Sequence, residues 1–356
     1  MKVKKVFIII VLSISMCSFA QGNPIKFFGN AEIFYAYDFN EPRNHIKQNF
    51  LYNYNRHNEF NLNLVMVKAN YETENVRTNL ALMSGTYATD NLSAEKDVFK
   101  FINEANIGFK ISKTKNLWID AGILPSHIGW ETAVGKDNLN LTRSLAAENS
   151  PYFETGAKIS YTSESGKWLV SALIINGWQR IARVEGNQTL AFGHQITYKP
   201  NEKVTINSSS FVGNDKPNSE KKMRYFHDFY VINQWNEKLQ TVFGFDIGAE
   251  QKEKGSSRYN LWFSPNFLVK YQLNEKMAIA GRAEHFSDKK NVIISPQNNL
   301  GFQVFGISAN VDYQIQKNIL WRIEVRNFNS KDFIFLKNNN FSKNNLVLTT
   351  SISAWF

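Results

Sequence analysis

The stretch LVLTTSISAWF, Leu346 to Phe356, decides the fold. Taken at alternate positions, Leu346, Leu348, Thr350, Ile352, Ala354 and Phe356 make one face, while Val347, Thr349, Ser351, Ser353 and Trp355 make another that is mostly small or polar. A period of two marks a strand with unlike faces, because successive side chains of an extended chain point to opposite sides. Whether its greasy face meets a protein core or lipid is the question for the rest of the sequence.

The same alternation recurs in segments of roughly ten residues. Tyr259, Leu261, Phe263, Phe267, Val269, Tyr271 and Leu273 oppose Asn260, Ser264, Asn266, Lys270 and Gln272; Ile319, Trp321, Ile323 and Val325 oppose Arg322, Glu324 and Arg326. Short polar turns such as Asn236-Glu237-Lys238 and Asn274-Glu275-Lys276 take turns with longer connections near 40–56, 125–152 and 329–343. The turns carry the Asn, Ser, Gly and Pro that tight reversals favour. Seven short and eight long connections predict about 16 strands, beginning at 25–39 and 57–72 and ending at 345–356. An even strand number with short turns at one end and long loops at the other is an all-β, antiparallel, up-and-down transmembrane barrel. Around Val65 to Val67 and Leu173 to Ile175 both faces are apolar, which a bulge or an inward-folded loop would explain.

Composition fits this reading. Aromatics make up 14% of the chain, with 28 Phe, yet mean hydropathy is only -0.35, as strands with one wet and one greasy face require. The lysines of MKVKK, the apolar run VFIIIVLSI and Ser18-Phe19-Ala20 read as a signal peptide over 1–20, leaving a barrel at 21–356 after Sec-type export. Cys17 leaves with it, so no disulfide is expected. Beyond residue 20 no apolar run reaches the ~18 residues a membrane helix needs. The formal charge of +10 loses the contributions of Lys2, Lys4 and Lys5 on cleavage; the remaining excess suits an anionic solute or surface.

Aromatic placement separates a membrane barrel from a soluble sandwich. Tyr71, Tyr161, Tyr198, Tyr271, Tyr313 and Trp235 each precede a short turn, and most of them fall on the apolar face. That is the interfacial girdle of a membrane barrel. In such a barrel the last strand must pair with the first, leaving no edge in lipid. Several stretches, YAYDFN (35–40), HNEFNLNLVMVKANYE (57–72), NLALMSGTY (79–87), LWIDAGILPSHIGWE (117–131), LTRSLAAENSPYFETGAKISY (141–161) and NGWQRI (176–181), resemble the OmpL-like β-barrel porins. The resemblance implies a passive channel of the Gram-negative outer membrane and supplies no catalytic motif. Phe356 similarly resembles the signal read by the outer-membrane assembly machinery.

The chemistry-bearing residues are sparse. His45, His57, His127, His194, His227 and His285 form no HxH or HExxH pair, no nucleophile elbow or phosphate loop occurs, and the SxxK match at Ser93 to Lys96 lies in a polar loop. Neither enzyme activity nor a cofactor or metal is expected. Charge on the wet face is the prominent feature. Arg77, Glu104, Lys110, Asp120, Glu154, Lys158, Asp246, Lys270, Arg282, Glu284, Arg322, Glu324 and Arg326 are the expected pore lining. The longest connection, 125–152, carries Glu131, Lys136, Asp137, Arg143 and Glu148 and is expected to fold inward as a constriction.

The sequence therefore predicts an outer-membrane porin passing small hydrophilic solutes, with an anion lean drawn from Arg282, Arg322 and Arg326. The alternative is an occluded structural or adhesive surface barrel with partner-binding loops. Expected partners are outer-membrane lipid, the solutes, the assembly machinery and, as one option, two further copies in a homotrimer. Nucleic acid is not among them.

Overall fold

The computed structural model describes residues 24–356; the signal-peptide reading of 1–20 lies outside them. Among these residues the strands in chain order are β1 Ile25–Asp38, β2 Phe60–Glu72, β3 Val76–Ser84, β4 Ile102–Lys110, β5 Asn116–Pro125, β6 Phe153–Thr162, β7 Trp168–Ile175, β8 Ala191–Asn201 and β9 Val204–Gly213. They continue with β10 Arg224–Gln234, β11 Leu239–Gln251, β12 Tyr259–Gln272, β13 Met277–Asp288, β14 Phe302–Gln316, β15 Ile319–Ser330, β16 Phe335–Lys337, β17 Asn340–Ser342 and β18 Asn344–Trp355. Each barrel strand pairs antiparallel with its neighbours, and β18 closes on β1 in register from Asn30↔Trp355 to Asp38↔Val347. The result is a closed barrel of 16 strands, with β16 and β17 as a separate hairpin. Closure satisfies every ladder inside the sheet, which is what lets a strand cross hydrocarbon.

Local chemistry sets the turns. Asn236 and Asn274 each accept two backbone N–H bonds through Oδ1, from Lys238 and Leu239 and from Lys276 and Met277. A glutamine two residues earlier, Gln234 or Gln272, donates to the carbonyl of that same asparagine. The side chain thus supplies the bonds the reversing backbone lacks.

The faces follow the alternation. On β15 Leu320, Arg322, Glu324, Arg326 and Phe328 are enclosed, whereas Val325 is exposed on the outer wall. Tyr71, Trp235, Tyr271 and Tyr313 are exposed outside at the turn end, and Tyr225 packs on Tyr259 near the loop end. The two strands with apolar inner faces have separate causes. A bulge opposite Glu32 and Ile33 turns both Asn63 and Leu64 inward, while Leu173 and Ile175 pack inside the barrel with Ile128 and Leu145. Two boundaries differ from expectation: β2 starts at Phe60, because His57 caps Asp38 N through Nδ1, and the 329–343 connection contains the β16–β17 hairpin.

Candidate functional site in the barrel lumen

The segment between β5 and β6, residues 126–152, folds into the lumen. It carries a 3-10 turn at Gly135–Asp137 and a single helical turn, Leu145–Glu148, capped by Ser144 Oγ accepting from Ala147 N. Late strands hold it. Arg322 donates through Nη1 to the carbonyls of Gly135 (2.7 Å) and Asn140 (3.2 Å), and through Nη2 to Asn138 (3.2 Å) and Leu139 (2.8 Å). Its Nε and Nη2 also reach Asp312 at 2.6 and 3.2 Å. One turn along, Thr142 donates its N–H to Glu324 (2.6 Å) and accepts at its carbonyl from Arg282 (2.6 Å), and Leu145 N donates to Glu284 (2.6 Å). Arg326 closes the set on Glu284 at 2.7 Å.

Arg282, Glu284, Arg322, Glu324 and Arg326 are at most 4% exposed. Burial of such charges is tolerated only with nearly complete hydrogen bonding. The loop backbone provides it, so the ladder is as much a latch as a wall.

The other expected lining residues divide into groups. Arg77 makes a two-pronged pair with Asp120 and lies over Trp118 at 4.4 Å. Glu104 pairs with Lys68 and Lys270 with Asp312, both at 2.6 Å. Glu154 meets His127 Nδ1 at 2.7 Å, and Asp246 stands opposite Asp228 across β10 and β11. Lys110 and Lys158 are half-buried and, among the described residues, in no ion pair within 4.0 Å. Of the loop residues, Glu131 accepts from Ser144 N and Oγ, Lys136 pairs with Asp137, and Arg143 binds Glu148 from between the rings of Tyr87 and Tyr152. Burial pushes the Glu131 carboxyl above the usual carboxylate range, with Arg282 and Ser144 pulling it back. Burial opposes charge on His127 as well, but Glu154 and the Ser210 carbonyl raise it above the ordinary imidazole value. Phe356 lies on the outer wall, its N–H and carbonyl bonded to Gly29.

Several lumen groups escaped the sequence reading. Lys68 was hidden by the β2 bulge, Arg224 by its place at a strand end, and Asp228 by its apolar neighbours. The connection 39–59 also enters the barrel, where Phe50 packs on Phe302, Phe328 and Phe335, and Tyr52 N and Asn53 N bind Glu148. Within it Lys47 is fully buried, and burial pushes its ammonium down to about 8 despite Asp38 and Glu148.

Among the described residues, three of the cavities around the inward loop are large enough to hold more than a single water. The one nearest the loop end, about 290 Å3, is lined by Tyr52, Glu95, Trp178 and Arg180; a middle one of about 340 Å3 lies between the loop and β2 to β6; one of about 230 Å3 opens at the turn end beside Lys276 and Trp355. The first two share Ser150 and Phe153, and the last two share Asp137.

A sixteen-strand barrel with an outer apolar band, a girdle and a charged interior crossed by a loop is the architecture of an outer-membrane porin. The profile of the family described as "Putative beta-barrel porin-2, OmpL-like" matches residues 24–356, and the chain belongs to that family. No curated protein sequence matches. Among solved structures, the anion-selective porin from Comamonas acidovorans is similar at TM-score 0.62 and 6% identity, over 93% of this chain and 99% of that one. OmpT of Vibrio cholerae folded in vitro gives 0.60 at 7% identity over 96% and 100%, and Salmonella typhi OmpF in complex with daunomycin 0.61 at 10% over 93% and 97%. At such identities the likeness is one of fold.

Proposed function

We propose that this outer-membrane protein, exported after cleavage behind Ala20, passes small hydrophilic solutes down their gradients. The observation that carries the reading is the succession of three separate cavities beside the latched loop, each sharing lining residues with the next. The pore-lining groups along it are Glu104, Lys270, Glu131, Lys136 and Asp137 and their partners. Arg282, Arg322 and Arg326 act instead as the frame that holds the constriction. With those cations neutralised, the middle cavity's lining carries Glu104 paired with Lys68, Asp137 paired with Lys136, and Glu131. The proposed selectivity is therefore neutral to mildly cationic, in place of the anion lean that the arginines suggested. Such a lining sets the field a solute meets.

Reversal potential across a bilayer in a tenfold KCl gradient tests the charge reading, and liposome swelling with neutral sugars tests passage. Strong chloride preference refutes the first; no swelling above protein-free vesicles refutes the second. A second reading, the occluded surface barrel, is favoured by one observation: Phe50, Trp262, Phe302, Phe328 and Phe335 pack a dry cluster inside the loop end. Folded protein without either permeation signal would select it. Trimerisation and recognition of Phe356 by the assembly machinery remain part of the proposal, checked by cross-linking in membranes and by assembly of Phe356→Ala.

A further inference from the structure

The outer wall is not apolar throughout. Where β8, β9 and β10 run side by side, His194, Ser210 and His227 occupy directly paired positions, with Ser208 the next outward residue along β9. Neighbours fix the face they share: Phe192, Ile196 and Tyr225 are exposed outside, whereas Thr197, Ser209 and Asp228 are enclosed within. A polar row therefore faces lipid, where polar groups without partners are costly.

The four residues satisfy one another only in part. Ser210 Oγ meets His194 Nδ1 at 2.5 Å, and Ser208 Oγ meets His227 Nε2 at 2.9 Å. The remaining ring nitrogens, His194 Nε2 and His227 Nδ1, have no hydrogen-bond partner among the described residues, and neither is enclosed, so both reach the barrel surface. A neutral imidazole that accepts a hydroxyl proton at one nitrogen carries its own N–H at the other. The row thus turns two N–H donors outward, on rings whose centroids lie 6.3 Å apart. Among the described residues no third group orients either ring, as a nucleophile and base pair requires, so the arrangement suits binding.

Depth decides which lipid atoms these donors meet. His227 lies two residues below Tyr225, which packs on Tyr259 at the loop end. Two residues of a tilted strand descend ~5 Å, roughly the thickness of the interfacial layer of one leaflet. The acceptors at that level are acyl ester and amide carbonyls. Above the row the charge is basic. The β9–β10 connection carries Lys216, Lys221 and Lys222 against Glu220 and against Asp215, which Arg224 already holds; the connection 252–258 adds Lys252, Lys254 and Arg258 against Glu253. Lys221 and Lys222 adjoin the start of β10, are half-buried and, among the described residues, make no ion pair within 4.0 Å.

Outward donors at carbonyl depth beneath free lysines match one kind of partner. We propose that this patch binds a phosphorylated acyl lipid of the outer leaflet, with acyl carbonyls on His194 Nε2 and His227 Nδ1, the phosphate on Lys221 and Lys222, and the chains over Ile196, Phe229 and Val231. The site needs the wall to meet membrane but needs no open pore.

The test uses the full folded barrel in non-ionic detergent, with bound lipid counted and titrated by native mass spectrometry. The probes are lipid A, which carries phosphates and both amide- and ester-linked acyl chains, the same lipid dephosphorylated, and inorganic phosphate alone. Lipid A should bind saturably, about tenfold more tightly than its dephosphorylated form. His194→Phe and His227→Phe, which keep a ring and remove one donor each, should each weaken it about fivefold. Lys221→Gln with Lys222→Gln should weaken lipid A about tenfold and leave the dephosphorylated lipid unchanged. His285→Phe, on the outward face of β13 against Phe263, should change neither. Parent-like binding by the double histidine variant, indifference to the phosphates, or displacement of the lipid by an equal concentration of inorganic phosphate would each overturn the proposal. A row covered by a second copy would show instead as a dimer that forms without lipid and that the double histidine variant splits, and this too would overturn it. Both histidine variants put apolar rings on the lipid face, so they should fold. Heat-modifiable mobility on gels confirms this, and the lysine pair carries the comparison if one of them does not.

Discussion

Replacing Arg322 by Met should release the inward loop. The guanidinium is fully buried and reaches four consecutive-turn carbonyls, Gly135, Asn138, Leu139 and Asn140, as well as both oxygens of Asp312. Methionine keeps most of the stem volume but leaves Asp312 with Lys270 as its one cation, beside the Asn310 amide, and leaves the carbonyls unmatched in a closed space. Removing one partner of a buried pair costs ~3–5 kcal/mol. At about 1.4 kcal/mol per decade, that shifts the loop's docking equilibrium by about three orders of magnitude. The barrel ladder between β14 and β15 does not depend on this side chain, so the wall should survive. In planar bilayers the variant should give larger and noisier unitary steps than the parent, and trypsin should cut at Lys136 where the parent resists. Arg322→Lys keeps the charge but cannot fan across four carbonyls, so an intermediate phenotype is expected. Parent-like conductance and protease resistance in folded Arg322→Met would refute the latch.

Three other perturbations probe separate parts of the account. Lys47 is held near 8 by burial against 10.5 when solvated, so between those values the detached 39–59 connection binds the extra proton. Docking should therefore tighten as pH rises through that window, by up to ~3 kcal/mol, and be flat below it; chymotryptic cleavage at Phe50, normalised to denatured chain, should slow from pH 8 to 10 in the parent but not in Lys47→Met. Val325→Lys puts a cation on the outer wall at mid-strand and should cost ~2–4 kcal/mol in urea titrations in vesicles; a shift near zero would mean that face does not meet lipid. Gly122 has φ +129°, and a Cβ there would come 2.2 Å from the Ala105 carbonyl oxygen, so Gly122→Ala should lose ~1–3 kcal/mol and refold in lower yield. Parent yield would show that the backbone relaxes there.

The wall was legible because its code is local. Alternation along Tyr259 to Leu273, and the repeated Asn-Glu-Lys turns after Gln234 and Gln272, report neighbours one or two residues away, and β10 to β15 lie close to their expected bounds. The parity rule also placed the charges of Arg282, Glu324 and Arg326 on the inner face. It could not say whether they meet water, because that depends on where a loop far away in sequence comes to rest. Glu284 meets Leu145 N across 139 residues, and Arg322 meets Gly135 across 187. The apolar residues of the 39–59 connection, Phe50 and Leu51 among them, are scattered between polar ones with no period, so nothing betrays that it enters the lumen. Asn63 broke the parity of β2 for a different reason: a bulge inserts one residue and leaves no mark in composition. The β16–β17 hairpin failed to register since three residues cannot establish a period.

The account rests on a water-filled route past a loop that narrows the barrel without sealing it. Unitary conductance of the purified, refolded protein in a planar bilayer measures this most directly. Discrete steps, small compared with those of the Arg322→Met variant, are the expected result. A silent bilayer, with folding confirmed by heat-modifiable mobility, would contradict it.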